Sequence, residues 1–291
     1  MQSIQSIYMK NSVDPIAPVI AIAIGILLTT CSIKDEQYIT SADGVSIYFQ
    51  KAGVGKPVIL FIHGFSPHSD CWRDQVNYFS KDHQVIALDL PGFGKSGQNR
   101  KEWSMDSYGD DIESLVSKLN LDDVILVGHS MGGLVALKAA TKIPDKLRCV
   151  VIVDMLNDIN SVLTDSQIED LINWVRPKIR KGNLDSLDVF FSSRQNTLRY
   201  DSLLPSEIPS FWWGIVRNTF RWARDDAKQT IKEIKAPVYS INADNTPTNV
   251  DAMRQYSPNF KATIIKGTTH YVNWDKPDEF NKALEAIVNS N

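Results

Sequence analysis

Unbroken runs of apolar residues recur along the chain, and they predict strands that are covered on both faces of a sheet. A different pattern precedes them, because residues 38–52 alternate between apolar and polar around Asp43-Gly44, which is typical of a β-hairpin. The six unbroken runs span residues 57–62, 85–89, 124–128, 149–153, 237–241 and 263–265. The pattern therefore predicts one sheet that begins with a hairpin.

Helical spacing of apolar residues appears between the predicted strands. Residues 108–119 carry Ile112, Leu115, Val116 and Leu119 on one face of a predicted helix. A helix that joins two strands of one sheet makes those strands parallel. The chain is therefore predicted to adopt an α/β fold with a doubly wound, mostly parallel sheet.

Residues 156–230 interrupt this alternation. They contain no good strand run, but they do contain helical stretches at 168–179 and 211–223. They also hold a cluster of large rings: Phe190, Phe191, Phe211, Trp212, Trp213 and Trp222. We predict a helical lid here, inserted after the sixth strand into a core made of residues 32–155 and 231–291.

The strongest chemical signal is Gly128-His129-Ser130-Met131-Gly132-Gly133, placed between a predicted strand and a predicted helix. Glycine two places before and two places after a serine allows a sharp corner that lifts the hydroxyl clear of the sheet. A serine hydroxyl is a poor nucleophile until a base takes its proton. We predict Ser130 as the nucleophile and a structural role for His129.

The base is expected on a loop near the end of the chain. Of the five histidines, only His270 follows the last predicted strand and a glycine turn. His63 is expected to be a structural hydrogen-bonding residue, and His68 and His83 lie in polar contexts. We therefore predict that His270 is the base.

These motifs together resemble the α/β-hydrolase superfamily, in particular its esterase-like branch with a small helical cap, over residues 38–290. The residues that carry the resemblance are His63-Gly64, the segment 89–96, the serine corner and Gly267-x-x-His270. The resemblance implies a serine hydrolase that cleaves carboxylic esters through an acyl-enzyme, without a cofactor. It also implies that the N–H groups of Phe65 and Met131 bind the oxyanion. The ring cluster of the lid predicts an apolar pocket, with Trp212 and Trp213 in contact with the substrate.

The acid of the expected Ser-His-Asp triad is left open between two residues. The family commonly places it nine residues after the proline that begins the strand at 237, but Thr246 occupies that position. Asp244 lies two residues earlier, and Asp154 follows the run 149–153. We favour Asp154, with Asp244 as the alternative.

Two other functions compete with ester hydrolysis. A hydrolase of carbon–carbon bonds in ring-cleavage products would use the same triad, with basic groups in the pocket for a dianionic substrate. A ligand receptor on the same fold would keep the pocket without turnover. A peracid-forming side reaction of the acyl-enzyme is a further possibility.

The charge and the cysteine content of the chain limit which classes of binding partner are expected. The net charge of −3 and pI near 6.0 show no basic excess, so neither nucleic acid nor an anionic membrane surface is expected as a partner. The three cysteines form no C-x-x-C pair, and no metal site is predicted. A small ester is the expected ligand, and the oligomeric state is left open.

The N-terminal segment has the residue pattern of an export signal. Residues 15–33 carry no charge, and Lys10 precedes them. The end of this stretch, Leu28-Thr29-Thr30-Cys31-Ser32, resembles the bacterial lipobox, which implies cleavage before Cys31 and lipidation of its thiol. A retained membrane anchor or a plain secretion signal are the alternatives. Each of them places the catalytic domain outside the cytoplasm, with membrane contact only through this segment.

Overall fold

Eight strands form a single sheet in the computed structural model, which describes residues 35–290. The strands are β1 (Asp35–Thr40), β2 (Ser46–Ala52), β3 (Val58–Ile62), β4 (Val85–Leu88), β5 (Val124–His129), β6 (Leu147–Val153), β7 (Val238–Ala243) and β8 (Lys261–Ile265). Their order across the sheet is β1-β2-β4-β3-β5-β6-β7-β8. The pairs β1–β2 and β2–β4 are antiparallel and the others parallel. The predicted hairpin and mostly parallel sheet are therefore confirmed.

Eleven α-helices connect or cover the strands within this part of the chain. They are α1 (Arg73–Phe79), α2 (Met105–Lys118), α3 (Met131–Ala140), α4 (Asp165–Val175), α5 (Leu184–Leu187), α6 (Arg194–Leu203), α7 (Trp212–Asp225), α8 (Ala227–Glu233), α9 (Val250–Arg254), α10 (Val272–Asp275) and α11 (Pro277–Asn289). Short 3-10 helices span Ser69–Trp72 and Asp188–Phe190. Helices lie on both faces of the sheet, as a doubly wound fold requires.

Two apolar layers enclose the central strands. Every residue of β3 is buried, and successive side chains of a strand point to opposite faces. Leu60 packs in the layer that contains Leu134 of α3, and Ile59 packs in the layer that contains Leu284 of α11. This double burial explains why the strands appear in the sequence as unbroken apolar runs.

The predicted lid is present between β6 and β7, but its end differs from the expected one. Residue 230 lies inside α8, whose Ala227 and Ile231 are buried in the core. The helix α8 therefore covers the sheet. From here on, the lid means residues 156–225, which contain α4 to α7.

The N-terminal predictions lie outside the residues that the structure describes. Cys31 and the apolar stretch before it belong to this part of the chain. Within residues 35–290, no helix combines the length and apolar character needed to cross a bilayer. The export signal and the lipidation of Cys31 stay predictions from the sequence.

The two cysteines of the described chain, Cys71 and Cys149, are buried and unpaired. Burial raises the pKa of the Cys149 thiol to about 12 and raises the pKa of Cys71 well above its ordinary value. Thiols in such surroundings are inert, because the thiolate is the reactive form. Both therefore act as small apolar residues.

Candidate active site

Ser130 lies at the corner between β5 and α3, in a backbone conformation that is rare for a residue with a side chain. Its φ is 53° and its ψ is −122°. A Cβ at Gly132 would lie 2.4 Å from the carbonyl oxygen of Ile62, and a Cβ at Gly128 would lie 2.1 Å from that of Gly132. Only glycine fits at these two positions, so the corner can form and Ser130 reaches the cavity above the sheet.

His270 and Asp154 meet at this cavity. The Nδ1–H of His270 donates to Oδ2 of Asp154 at 2.7 Å. Asp154 directly follows β6, and its other oxygen accepts the N–H of Ala243 at 3.1 Å. Asp244 is exposed, and its carboxylate accepts the N–H of Gly267 at 2.8 Å. Of the two candidate acids, Asp154 contacts the imidazole of His270. Asp244 instead stabilises the turn at Gly267, which precedes His270 in the chain.

The surroundings of Asp154 favour its ionised form. Burial by itself would raise the pKa of this carboxyl group. The hydrogen bond and charge of His270, together with the N–H of Ala243, outweigh burial and hold the pKa below its ordinary value. A carboxylate that stays charged can orient the ring of His270 and stabilise its protonated form.

The two other histidines near the site are tied to the backbone. The ring of His63 donates through Nδ1 to the carbonyl of Gly64 at 2.7 Å and accepts the N–H of Leu90 at Nε2, at 2.8 Å. The ring of His129 contacts the carbonyl of His270 through Nε2 at 2.7 Å. His63 and His129 therefore hold the loops that carry Phe65 and His270, in agreement with their predicted structural roles.

We expect the protein to lose stability as the pH falls below about 6.5. Burial lowers the pKa of His63 to about 4 and that of His129 to about 3, from an ordinary value of 6.5. The native state then binds fewer protons than the unfolded state, so this contribution is complete above pH 6.5 and is lost progressively down to about pH 4 for His63 and about pH 3 for His129. At about 1.4 kcal/mol per pKa unit, the free energy of unfolding should fall by several kcal/mol.

Urea denaturation at pH 7, 6 and 5 measures this loss, at pH values on either side of the ordinary histidine pKa of about 6.5. The variant His129→Gln keeps an N–H donor near the carbonyl of His270 but cannot take up a proton. Its free energy of unfolding should therefore depend less on pH than that of the wild type. Equal slopes for the two proteins would contradict the assignment.

Two backbone N–H groups near Ser130 make no hydrogen bond to any other residue between 35 and 290. Met131 is the first residue of α3, a position whose N–H has no acceptor within a helix. Phe65 lies in the loop after β3, and its N–H makes no hydrogen bond within the described part of the chain. Both residues line the cavity. They are available to bind an oxyanion.

The cavity has a volume of about 430 Å³ and is mostly apolar. The core contributes Ser130, His270 and Met155, and the lid contributes aliphatic and aromatic side chains such as Trp213 and Phe190. No Lys, Arg, Asp or Glu among residues 35–290 lines it. A volume of this size is typical of small-molecule sites, and the lining favours an uncharged, apolar ligand.

Trp212, expected beside the substrate, lies elsewhere. Its ring is buried in the core, 4.8 Å from the ring of Phe93, and its Nε1–H donates to the carbonyl of Gly92 at 2.9 Å. Trp213 does line the cavity. Successive residues of a helix point about 100° apart, so the two neighbours face different surroundings. The expectation for Trp212 is therefore wrong.

Asp275 joins the lid to the loop of His270, and the sequence offered no signal for it. One carboxylate oxygen accepts the N–H and the hydroxyl of Thr269 at 2.6 and 2.7 Å. The other accepts Nδ2 of Asn196 at 2.7 Å and the hydroxyl of Ser192, both from the lid. Four hydrogen bonds to one carboxylate thus hold the residue before His270 against the lid.

Comparison with known proteins places this geometry in a family. A family model described as the alpha/beta hydrolase fold matches residues 57–277, more than half of the chain. A non-heme chloroperoxidase from Kitasatospora aureofaciens is 26% identical over 86% of this chain and 98% of its own. A 2-(acetamidomethylene)succinate hydrolase from Mesorhizobium japonicum is 24% identical over 84% and 92%.

Solved structures agree on the fold. The esterase EaEST from Exiguobacterium antarcticum superposes with a TM-score of 0.73 over 88% of this chain and all of its own, at 18% identity. The E-2-(acetamidomethylene)succinate hydrolase structure gives a TM-score of 0.73 over 88% and 99%, at 20% identity. With a matching family model, a shared fold and the serine corner in place, the chain belongs to the α/β-hydrolase fold family.

Proposed function

We propose that the protein is a serine hydrolase that cleaves uncharged carboxylic esters with an apolar acyl or alcohol group. The observation that carries the proposal is the 2.7 Å hydrogen bond between His270 and Asp154 beside the cavity that Ser130 lines. A base held by a carboxylate near a serine at a sharp corner is the arrangement that acyl transfer needs.

The reaction would proceed in two steps. Ser130 attacks the ester carbonyl while His270 takes the hydroxyl proton, and Asp154 stabilises the resulting imidazolium. The N–H groups of Phe65 and Met131 bind the oxyanion of the tetrahedral intermediate. His270 then protonates the departing alcohol, and water activated by His270 releases the acid from Ser130. No step uses a cofactor.

The apolar lining supports an uncharged substrate over a dianionic one. A carbon–carbon bond hydrolase acting on dianionic ring-cleavage products would need cationic groups to offset the loss of hydration. No Lys or Arg in the described chain lines this cavity. The relative named 2-(acetamidomethylene)succinate hydrolase shares the fold, but the uncharged lining of the cavity favours neutral esters for this chain.

A peracid-forming side reaction has support from the relatives. Hydrogen peroxide could replace water and attack the acyl-enzyme, which gives a peracid and frees Ser130. The chloroperoxidase relative matches over nearly its whole length. Monochlorodimedone halogenation in the presence of acetate, bromide and peroxide would reveal this activity.

Fluorophosphonate labelling combined with an ester panel tests the main proposal. The probe should modify Ser130 in folded protein and not in urea-unfolded protein, because only the folded site activates the hydroxyl. p-Nitrophenyl esters of neutral acyl chains should be turned over faster than the p-nitrophenyl monoester of succinate. A folded protein that stays unlabelled would favour the ligand receptor, and a preference for the anionic ester would contradict the substrate class.

We also propose export and tethering through Cys31, on the sequence of residues 15–33 alone. Metabolic labelling with a radioactive fatty acid should mark the wild type and leave Cys31→Ala unmarked. An unmarked wild type that is found in the membrane fraction would favour a retained anchor, and an unmarked wild type in the medium would favour a plain secretion signal.

Asp275→Asn should lower kcat/KM for these esters by about tenfold or more, since hydrogen bonds to a charged group contribute roughly 1.5–3 kcal/mol each. The side-chain oxygen of the new asparagine can still accept hydrogen bonds from one pair of donors. Its NH₂ group would face the other pair of donors and cannot accept from them. The loop of His270 and the lid should then move apart. Asp278→Asn, an exposed carboxylate on α11, is the matched control. Equal kinetics and equal melting temperatures for the two variants would contradict this role.

A further inference from the structure

The lid carries a local concentration of positive charge that the net charge of the chain does not reveal. Residues 174–183, at the end of α4 and just after it, contain four cations and no carboxylate: Arg176, Lys178, Arg180 and Lys181. Within residues 35–290, none of these four forms an ion pair with a carboxylate, whereas Arg217 and Arg194 of the lid do. Three of the four are exposed and Lys178 is half-buried, so their charges face solvent.

Apolar side chains lie among these cations. Trp174 is 50% exposed and Val189 is 58% exposed, and both also line the cavity that holds Ser130. Residues that line a cavity and still face solvent form its mouth. The Nζ of Lys178 lies 4.1 Å from the ring centroid of Trp174, and the ring centroids of Trp174 and Phe190 are 5.5 Å apart. We call Trp174, Val189 and the four cations the cavity rim.

Neighbouring carboxylates offset part of this charge but do not cancel it. Asp185 and Asp188 lie on the elements next to the cavity rim and share one cation, Arg194, which offsets only one of the two negative charges. Asp170 lies one turn before Trp174 on α4 and is the one carboxylate there without an ion pair in the described chain. Asp201 also forms no ion pair in the described chain, and its carboxylate accepts the N–H of Gly182 in this segment at 2.6 Å. With Arg194 included, five cations still outnumber four carboxylates here, so the local field stays positive.

We propose that the cavity rim docks on the surface of a lipid bilayer that contains anionic phospholipids. Lys and Arg side chains bind phosphate headgroups while Trp and aliphatic side chains enter the interfacial layer. The cavity would then open toward esters dissolved in the bilayer, in keeping with its apolar lining. The delivery of substrate rests on the proposed function, but the docking itself does not. This differs from the expectation, based on net charge, that no anionic membrane surface is a partner.

Tryptophan fluorescence of the full chain offers a direct test. All seven tryptophans lie within the described residues, and Trp174 is the only one that is exposed. The segment before residue 35 contains no tryptophan, so anchoring through it would not by itself bring one into lipid. Vesicles of brominated phosphatidylcholine mixed with phosphatidylglycerol should quench the fluorescence of the wild type. The quenching should disappear in Trp174→Phe and in about 1 M salt, where the Debye length is about 3 Å.

Charge reversal tests the role of the cations. Each basic residue near an anionic surface contributes about fivefold to association, so Arg180→Glu/Lys181→Glu should weaken the vesicle interaction roughly 30-fold or more. Lys118→Glu/Lys282→Glu reverses two exposed lysines on α2 and α11 and should match the wild type. If circular dichroism shows that the first variant is unfolded, Arg180→Gln/Lys181→Gln replaces it, with an expected loss of roughly 30-fold.

Three outcomes would overturn the proposal. The first is that anionic vesicles fail to quench the fluorescence of the wild type. The second is that they quench the wild type and Arg180→Glu/Lys181→Glu equally. Either result would exclude charge-driven docking on lipid. The third is that the wild type is not quenched but binds poly-glutamate, and that Arg180→Glu/Lys181→Glu loses this binding. That result would assign the cavity rim to an acidic polypeptide instead. Quenching does not depend on turnover. A protein that docks but hydrolyses no ester would therefore contradict only the proposed function.

Discussion

Ser130→Ala should lower kcat/KM for p-nitrophenyl butyrate by about 10⁶-fold, a loss scaled from other serine hydrolases whose nucleophile was removed. The hydroxyl is the group that forms the acyl-enzyme, and no other side chain can take its place at the corner. Alanine keeps the Cβ that the corner already accommodates, so the fold and the cavity should be preserved. The N–H groups of Phe65 and Met131 remain and would support a small residual rate.

Steady-state kinetics with active-site titration measures this effect. Ser117→Ala, which removes an exposed hydroxyl from α2, is the matched control and should retain full activity. The melting temperatures of both variants should stay close to that of the wild type. Turnover by Ser130→Ala at the wild-type rate would remove the serine hydrolase proposal.

Asp154→Asn should lower kcat by about 10⁴-fold with little change in KM, by analogy with the Asp-to-Asn change in other catalytic triads. The amide cannot stabilise the imidazolium of His270. Its NH₂ group would also donate to Nδ1, which forces the proton onto the nitrogen that must accept from Ser130. The side-chain volume is unchanged, so substrate binding should be retained.

Asp244→Asn is the matched control for Asp154→Asn. Asp244 accepts a hydrogen bond from the N–H of Gly267, and an asparagine oxygen can accept the same bond. Its kcat should therefore stay within a few-fold of the wild type, as expected when a neutral acceptor replaces a charged one on an exposed turn. If Asp244→Asn caused the large loss and Asp154→Asn the small one, the acid would have to be reassigned to Asp244.

Long buried elements could be predicted from the sequence because their signals are local. The strands β3 to β7 are buried on nearly every residue, so each appears as a continuous apolar run. The shorter helices α1, α6 and α8 were not predicted. Helices of seven to ten residues are marginal in isolation, and contacts with the rest of the protein stabilise them.

The lid shows a different limit of sequence reasoning. Its aromatic cluster predicted an apolar cavity, but not which rings would line it. Trp213 does so, while Trp212 packs in the core and Phe211 stacks on Trp103 with ring centroids 4.9 Å apart. A one-residue difference in helix phase changes what a side chain faces. That phase depends on how α7 packs against the core.

The sequence by itself determined the strands, the corner that carries Ser130 and the placement of His270 after the last strand, because these depend on residues that are near neighbours in the chain. Only the tertiary structure decided which carboxylate meets His270. Asp154 is 116 residues away, and the order of β6, β7 and β8 in the sheet brings it there. The same holds for the contacts of Asp275 and for the cavity rim, since contacts between distant segments arise from packing and leave no periodic pattern in the sequence.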